Sequence, residues 1–364
     1  MIGAIKDRVD RYLGRGRHSI AIPVMDGPLH PNQKLDDAAE IFSATQIDNL
    51  AVVGADIFFS SGPTLMRVPH GAGTPETVAD LDASITFMAA AADGTLAIGL
   101  DGNGILLRGG KMDGKRFTTL GGNALTSPTA GCWSGKDLIL TVGAKDRLQA
   151  DWKRDVMAEG RSGEVWKIDT TSGTGTRLAQ GMAWPNGISV APEGFVISEA
   201  WRHRLVVLDS AGKLRPVWQN LPGYPSRIIP TAGGGYILAI FAPRNQLIEF
   251  VLREPEFLNA MTTQVDPRFW IAPSLNGTQS FKEPMQGAAL RTMGIIKPWA
   301  PSWSYGLVVC LNDAFQPVSS YHSRADGIRH GVTSVCEFGG GVIAASRGSG
   351  TAVLLPCDTT EGAH

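Results

Sequence analysis

The chain is built from copies of one unit. Its clearest copy, GMAWPNGISVAPEGFVISEAWRHRLVVLD (Gly181–Asp209), reads as a small-residue turn, a strand at Gly187–Val190, a Pro-Glu-Gly turn, a strand at Phe195–Glu199, a polar loop and a third strand at Arg204–Leu208. Apolar and β-branched runs between turn signals are what antiparallel strands require. Ile188 and Val190 match Leu50 and Val52 in DNLAVVGADIFFSS, Phe87 in SITFMAAAADGTLAIG, and Gly131 and Trp133 in TAGCWSGKDLILTV. They also match Ile228 in SRIIPTAGGGYILAI and Val335 in TSVCEFGGGVIAAS, which makes six copies at irregular spacing. One such sheet cannot bury its own faces, so an array of this kind must close on itself. The expected fold class is all-β, a six-bladed β-propeller.

Superposing the copies aligns Asp48, Ile85, Thr129, Asn186, Ser226 and Thr333 at the start of each inner strand. Inner strands of a propeller run side by side along a central channel, which places these side chains near one mouth. All but Ile85 are polar on strands that are otherwise apolar, a pattern that suits a ligand or ion site better than packing. The segment Ala38–Ala44 looks like an outer strand, and little chain remains after Leu355 for a fourth strand of the last copy. The N-terminal strand is therefore expected to complete the last blade, removing two open sheet edges.

Two copies are interrupted between their second and third strands, on the side of the polar ring. The expected organisation is an N-terminal extension over 1–37, a propeller over 38–356 with insertions at 143–164 and 242–304, and a tail over 357–364. The first insertion predicts a helix around Trp152–Glu159, and the second has helical spacing through NQLIEFVLREPEFLNAM before a Pro-, Trp- and Phe-rich tract. Insertions of such length commonly carry function, and these two read as a lid. Trp152, Phe269, Trp270, Trp299, Trp303 and Tyr305 lie in or beside the lid, with Trp184 and Trp201 on adjacent loops. Those that do not pin the lid to the propeller would wall a pocket for an aromatic or polycyclic molecule.

Pro185-Asn186-Gly187, then Ser198-Glu199-Ala200-Trp201-Arg202-His203-Arg204, then Leu221-Pro222-Gly223-Tyr224-Pro225, with the last copy His330–Ser346, give the chain a resemblance to a known family. It resembles the strictosidine synthase-like branch of the senescence-marker-protein/gluconolactonase/paraoxonase superfamily, over roughly Pro23 to Pro356. That resemblance implies a propeller enzyme, and in the metal-dependent members a divalent cation, often calcium. By position, Asp48 stands in the acidic ligand place and Asn186 in the amide place, while Thr129 and Ser226 replace an amide and an aspartate. Calcium prefers six to eight oxygens and carboxylate charge, so the cofactor expectation is none or a divalent cation, Ca2+ if one is present, held by Asp48 and Asn186. The catalytic glutamate of strictosidine synthases is replaced by Thr333 here, and Glu337 lies toward the other end of the strand. A condensation of that kind is not expected.

Composition narrows the rest. The 364 residues carry a net charge of −1 with no basic block, which argues against a nucleic-acid partner. No apolar run has signal or membrane length, and Met1–Leu13 suits a short surface helix. Cys132, Cys310, Cys336 and Cys357 form no CxxC pair and read as reduced core thiols of a cytoplasmic protein. The sequence carries no nucleophile elbow, phosphate-binding loop or zinc signature. Acid–base candidates are His203, on the loop of the fourth copy, and His330, three residues before Thr333; His322 falls on an outer strand. Glu199 reads as a strand-end partner for Arg202 or Arg204.

Three functions fit. One is a lactone or ester hydrolase acting on an aromatic or polycyclic small molecule. Asp48, Asn186, His203 and His330 would do its chemistry, and Thr129, Ser226, Thr333, Trp152, Trp201, Trp270, Trp303 and Tyr305 would hold the substrate. The second is a metal-free lyase, isomerase or condensing enzyme for an aromatic metabolite, and the third a binding propeller without turnover. The capped single ring favours an enzyme, and the hydrolase leads by analogy.

Overall fold

The computed structural model describes residues 22–70, 73–277, 291–292, 295–296 and 303–356. Met1–Leu13, Trp299 and Cys357 lie outside them. The described chain forms six four-stranded antiparallel sheets arranged as propeller blades. The inner strands, in chain order, are Ile47–Val53, Ile85–Ala90, Pro128–Ser134, Pro185–Ala191, Gly223–Pro230 and Val332–Phe338. Five blades are contiguous in sequence apart from their insertions. The sixth takes its outermost strand from the start of the chain, where Ala39–Ser43 pairs antiparallel with Thr351–Leu355. The strand expected over 38–44 therefore closes the ring.

The core is divided among the contacts between neighbouring blades. Val196 and Val207 of blade four pack with Leu238 and Val309 of blade five, and Phe87 and Leu107 of blade two with Leu138 and Trp166 of blade three. Equivalent clusters fill the other four interfaces. Both faces of each blade are covered, so the second strands read as continuous apolar runs; Leu96–Leu100 and Tyr236–Pro243 are buried at every position. Outer strands such as Glu76–Asp80 stay largely exposed.

Every inner strand carries a β-bulge near its start. The register breaks between Asp48 and Ala51, Ile85 and Phe87, Pro128 and Ala130, Pro185 and Gly187, Pro225 and Ile228, and Val332 and Ser334. The residues left out of the pairing are Asn49, Thr86, Thr129, Asn186, Ser226 and Thr333, with Leu50 and Arg227 as second members of wider bulges. Each strand opens on a polar residue freed from the ladder, and a bulge re-aims such a side chain. Two members of the aligned ring shift by one residue: Thr86, not Ile85, holds the bulge of blade two, and Asn49 follows Asp48 in blade one.

The first insertion carries the expected helix, Trp152–Met157. The continuous helical spacing of the second is broken, because Pro255 starts a new helix: Gln246–Val251 is followed by Pro255–Gln264. Met261, Trp270 and Trp303 from this region pack with Trp184, Tyr224 and Phe241 of the propeller. The cysteine expectation needs correction. Cys310 is disulfide-bonded, with its partner outside the described residues, while Cys132 and Cys336 are free. Reduced thiols therefore no longer support a cytoplasmic location. Among the described residues, no helix is long and apolar enough to cross a membrane.

Candidate functional site

A cavity of about 260 Å³ opens at the mouth where the inner strands begin. Asp48, Ile85, Asn186, Ser226 and Thr333 line it, so five of the six aligned positions share one site. Gln149, Ala150 and Trp152 of the first insertion and Leu275 of the second complete its wall. Thr129 does not line it. Its hydroxyl is fully buried, donates to the Pro185 carbonyl at 2.5 Å and meets the Thr141 hydroxyl at 3.1 Å, which ties blade three to blade four.

One wall is aromatic. Trp184 and Trp201 stack at 5.3 Å and Trp201 and Trp152 at 6.3 Å, with Phe241 edge-on to Trp152 at 5.5 Å. Trp184 holds this place with a φ of +54°, a conformation that is costly for a bulky side chain and gathers at functional sites. Its carbonyl accepts the Ala200 amide at 3.0 Å, which locks the strained turn. Trp201 is oriented by Asp155 on the inserted helix, which accepts its indole N–H at 2.8 Å. Burial raises the Asp155 carboxyl above its usual range, against that bond and the charge of Arg147.

The other wall is a directed hydrogen-bond chain crossing four blades. Arg227 Nη1 donates to Asn186 Oδ1 at 3.0 Å, and Asn186 Nδ2 donates to Ser226 Oγ at 3.2 Å. The Ser226 hydroxyl donates to the Thr333 carbonyl at 2.7 Å, and the Thr333 hydroxyl donates to Asp48 Oδ1 at 2.7 Å. Asp48 Oδ1 also accepts its neighbour's amide, Asn49 N–H, at 2.8 Å, leaving Oδ2 facing Arg347 at 3.3 Å. Pro185-Asn186-Gly187 supplies the close approach this chain needs: a Cβ on Gly187 would meet the Ser226 carbonyl at 2.2 Å.

Arg227 has no counterpart among the residues singled out in the sequence. Nη1 also donates to the Asn186 carbonyl at 2.5 Å, and Nη2 donates to the Thr86 carbonyl at 2.5 Å and Asn49 Oδ1 at 3.0 Å. The guanidinium thus bridges blades one, two, four and five. Arg227 lines both the mouth cavity and a second one of about 280 Å³ in the channel beyond it, whose wall includes Glu337. Burial lowers the Arg227 pKa; the nearby Asp48 charge opposes this and Arg347 adds to it. Asp101 is a second carboxylate on the mouth wall that sequence reasoning passed over. It accepts the Gln149 and Ala150 amides at 2.6 and 3.0 Å, and burial raises its pKa.

The remaining site candidates fall elsewhere. His203 lines a separate cavity of about 70 Å³ with Tyr224 and Glu249. Its Nδ1 lies 3.1 Å from the Gly223 carbonyl, and burial and then the charge of Arg244 push its pKa down to about 4. His330 is held at both ring nitrogens, 2.7 Å from the Ser304 hydroxyl and 2.7 Å from the Arg324 carbonyl. Trp270 and Trp303 are buried in the packing of the second insertion, and Tyr305 is buried beside His322, its hydroxyl 3.0 Å from Nδ1. None of these five lines the mouth cavity. Glu199 sits under the site fully buried, where it accepts from Arg202 and Arg204 at 2.6 Å each, as the sequence suggested.

The ring suits a divalent cation poorly. The side-chain oxygen of Asn186 already accepts from a guanidinium, and a cation between it and Asp48 would sit beside Arg227 and Arg347. Among the described residues, no group of three or more His, Cys, Asp or Glu side chains comes together to hold a metal.

No family model matches the chain. A stretch of 131 residues, 33% of the chain, is 24% identical to adipocyte plasma membrane-associated protein of Danio rerio. The match spans about a third of that relative's length, 32%. A gluconolactonase from Xanthomonas campestris superposes with a TM-score of 0.56 at 12% identity, covering 92% of this chain and 97% of the other. Regucalcin from Agrobacterium tumefaciens, a calcium-binding protein, gives 0.53 at 11% identity, covering 87% and 93%. A luciferin-regenerating enzyme gives 0.51 at 11%, covering 86% and 91%. At such identities these likenesses show the propeller fold and nothing finer.

Proposed function

We propose that the chain is a lactonase-type hydrolase acting on a lactone or ester of a small aromatic molecule in the mouth cavity. The observation that carries this reading is Asp48, held by a hydrogen-bond chain and lining one cavity with three stacked indoles, while the other carboxylate there, Asp101, has both oxygens bound to backbone amides. Its Oδ1 is committed to Thr333 and Asn49, and its Oδ2 has only the long contact to Arg347. That oxygen is the one positioned to take a proton from an attacking water. Arg347 and the amide of Asn186 lie on the same wall to receive the charge developing on the carbonyl oxygen. Gluconolactonase is among the folds this chain resembles, which supports a ring-opening hydrolysis by analogy. The cavity volume, about 260 Å³, suits one or two rings rather than a larger polycycle.

The test is a hydrolysis screen of aromatic lactones and aryl esters, with and without a chelator. Asp48→Asn and Asn186→Ala should each lower turnover by roughly 10²-fold without loss of fold, and chelation should leave the rate unchanged. Parental rates in both variants, or no turnover of any lactone or ester, overturn the reading. A metal-free lyase or isomerase is the second reading, favoured by the guanidinium beside Asn186 where a cation would stand. Labelled water separates the two, because hydrolysis places a solvent oxygen in the carboxylate it releases, whereas an elimination or an isomerisation incorporates none.

A further inference from the structure

We propose that the mouth cavity takes an aromatic molecule bearing an oxyanion, a carboxylate or a phosphate, seated against the guanidinium of Arg227. The proposal rests on the same cavity as the hydrolase reading, and not on hydrolysis.

The argument is one of charge. All four hydrogen bonds of Arg227 go to neutral oxygens: two carbonyls and two side-chain amides. Among the described residues, no carboxylate pairs with it. Arg227 is part-buried, and a positive charge drawn partly out of water gains from a counter-charge as well as from hydrogen bonds. The other charges on this wall are already engaged. Asp48 faces Arg347 at 3.3 Å, and both oxygens of Asp101 are committed to backbone amides of the insertion. Arg227 and Arg347 thus share the charge of Asp48, and an incoming oxyanion meets more positive than negative charge at this point of the wall. The four terminal N–H groups of Arg227 are spent on its own bonds, so a carboxylate or phosphate would be drawn by the guanidinium's charge and offered the one donor left, Nε–H. Trp152, Trp184, Trp201 and Phe241 line the same space and would take the ring.

Three indoles in the wall make tryptophan emission a direct readout. The parental protein is titrated with benzoate, phenylacetate and indole-3-acetate, each against its own neutral amide, and with phenyl phosphate against phenol. At least one anion should bind about tenfold or more tightly than its neutral partner, the scale of one charge-assisted hydrogen bond. Tighter binding of phenyl phosphate than of the carboxylates assigns a phosphate ligand, and the opposite order a carboxylate. Arg227→Met should abolish the preference and Arg227→Lys retain part of it. Should the Met variant fail to fold, the parental comparison and the Lys variant decide. The proposal fails if no anion binds more tightly than its neutral partner, or if the preference survives in folded Arg227→Met. An anion preference without turnover of any ester or lactone would sink the hydrolase and leave this inference standing.

Discussion

At the scale of single residues, two histidines that look like proton carriers in the sequence are taken up by hydrogen bonds away from the mouth cavity. Burial and Arg244 bring the His203 pKa to about 4 from 6.5, and burial lowers His330 as well. His203 then gives no titration limb near neutral pH, and neither ring lines the mouth cavity where a proton would have to be moved. We expect His203→Ala and His330→Ala to leave the neutral region of the pH–rate profile unchanged in shape. A limb between about pH 6 and 8 that disappears in either variant would contradict this. The same shift has a stability consequence. Unfolded His203 takes up a proton that the folded chain refuses, so its contribution is fully present above pH 6.5 and is lost as pH falls toward 4. A melting temperature that drops over that window less steeply in His203→Asn than in the parent is the expected result.

At the scale of elements, the bulges and the insertion decide what the site contains. The copies align well enough in sequence to find Asp48, Asn186, Ser226 and Thr333, because a polar residue at the start of an apolar strand stands out. The register within the bulge is not legible in the sequence, since pairing depends on the neighbouring strand and not on the residue itself. Ile85 therefore aligns where Thr86 holds the bulge, and nothing in the sequence sets apart Arg227, one residue past Ser226 inside a two-residue bulge. Aromatic residues in the insertions were just as ambiguous. Trp152 reached the cavity while Trp270 and Trp303 went into packing, a choice that only the folded tract makes. The inserted helix acts on the site through Asp155. Asp155→Ala should free the Trp201 indole and weaken aromatic ligand binding by about tenfold, the value of one charge-assisted bond. Unchanged affinity in a folded variant would remove the helix from the site's design.

At the scale of the whole molecule, the ring holds through six similar interfaces, and the seam between the first and last strands is the place to test it. Phe42, on the closing strand, is buried and stacks on Phe59 of blade one at 5.0 Å, so it joins blade six to blade one. Phe42→Ala should cost about 3–5 kcal/mol by urea unfolding, with the remaining blades unaltered. A loss under about 1 kcal/mol, the level of an ordinary surface change, would mean that closure does not depend on this strand.

The seam also sets a schedule for making the protein. Ala39 pairs with Leu354, so this strand waits until all the chain between them has been synthesised before it finds its partner. At the usual pace of synthesis, that wait lasts tens of seconds. Through that interval five blades stand as an open arc with a bare edge at each end, and the apolar faces of blades one and five lack their neighbour. Exposed apolar faces and unpaired edges favour aggregation, so the yield of such a ring depends on what shields the arc during translation as well as on how stable the closed ring becomes.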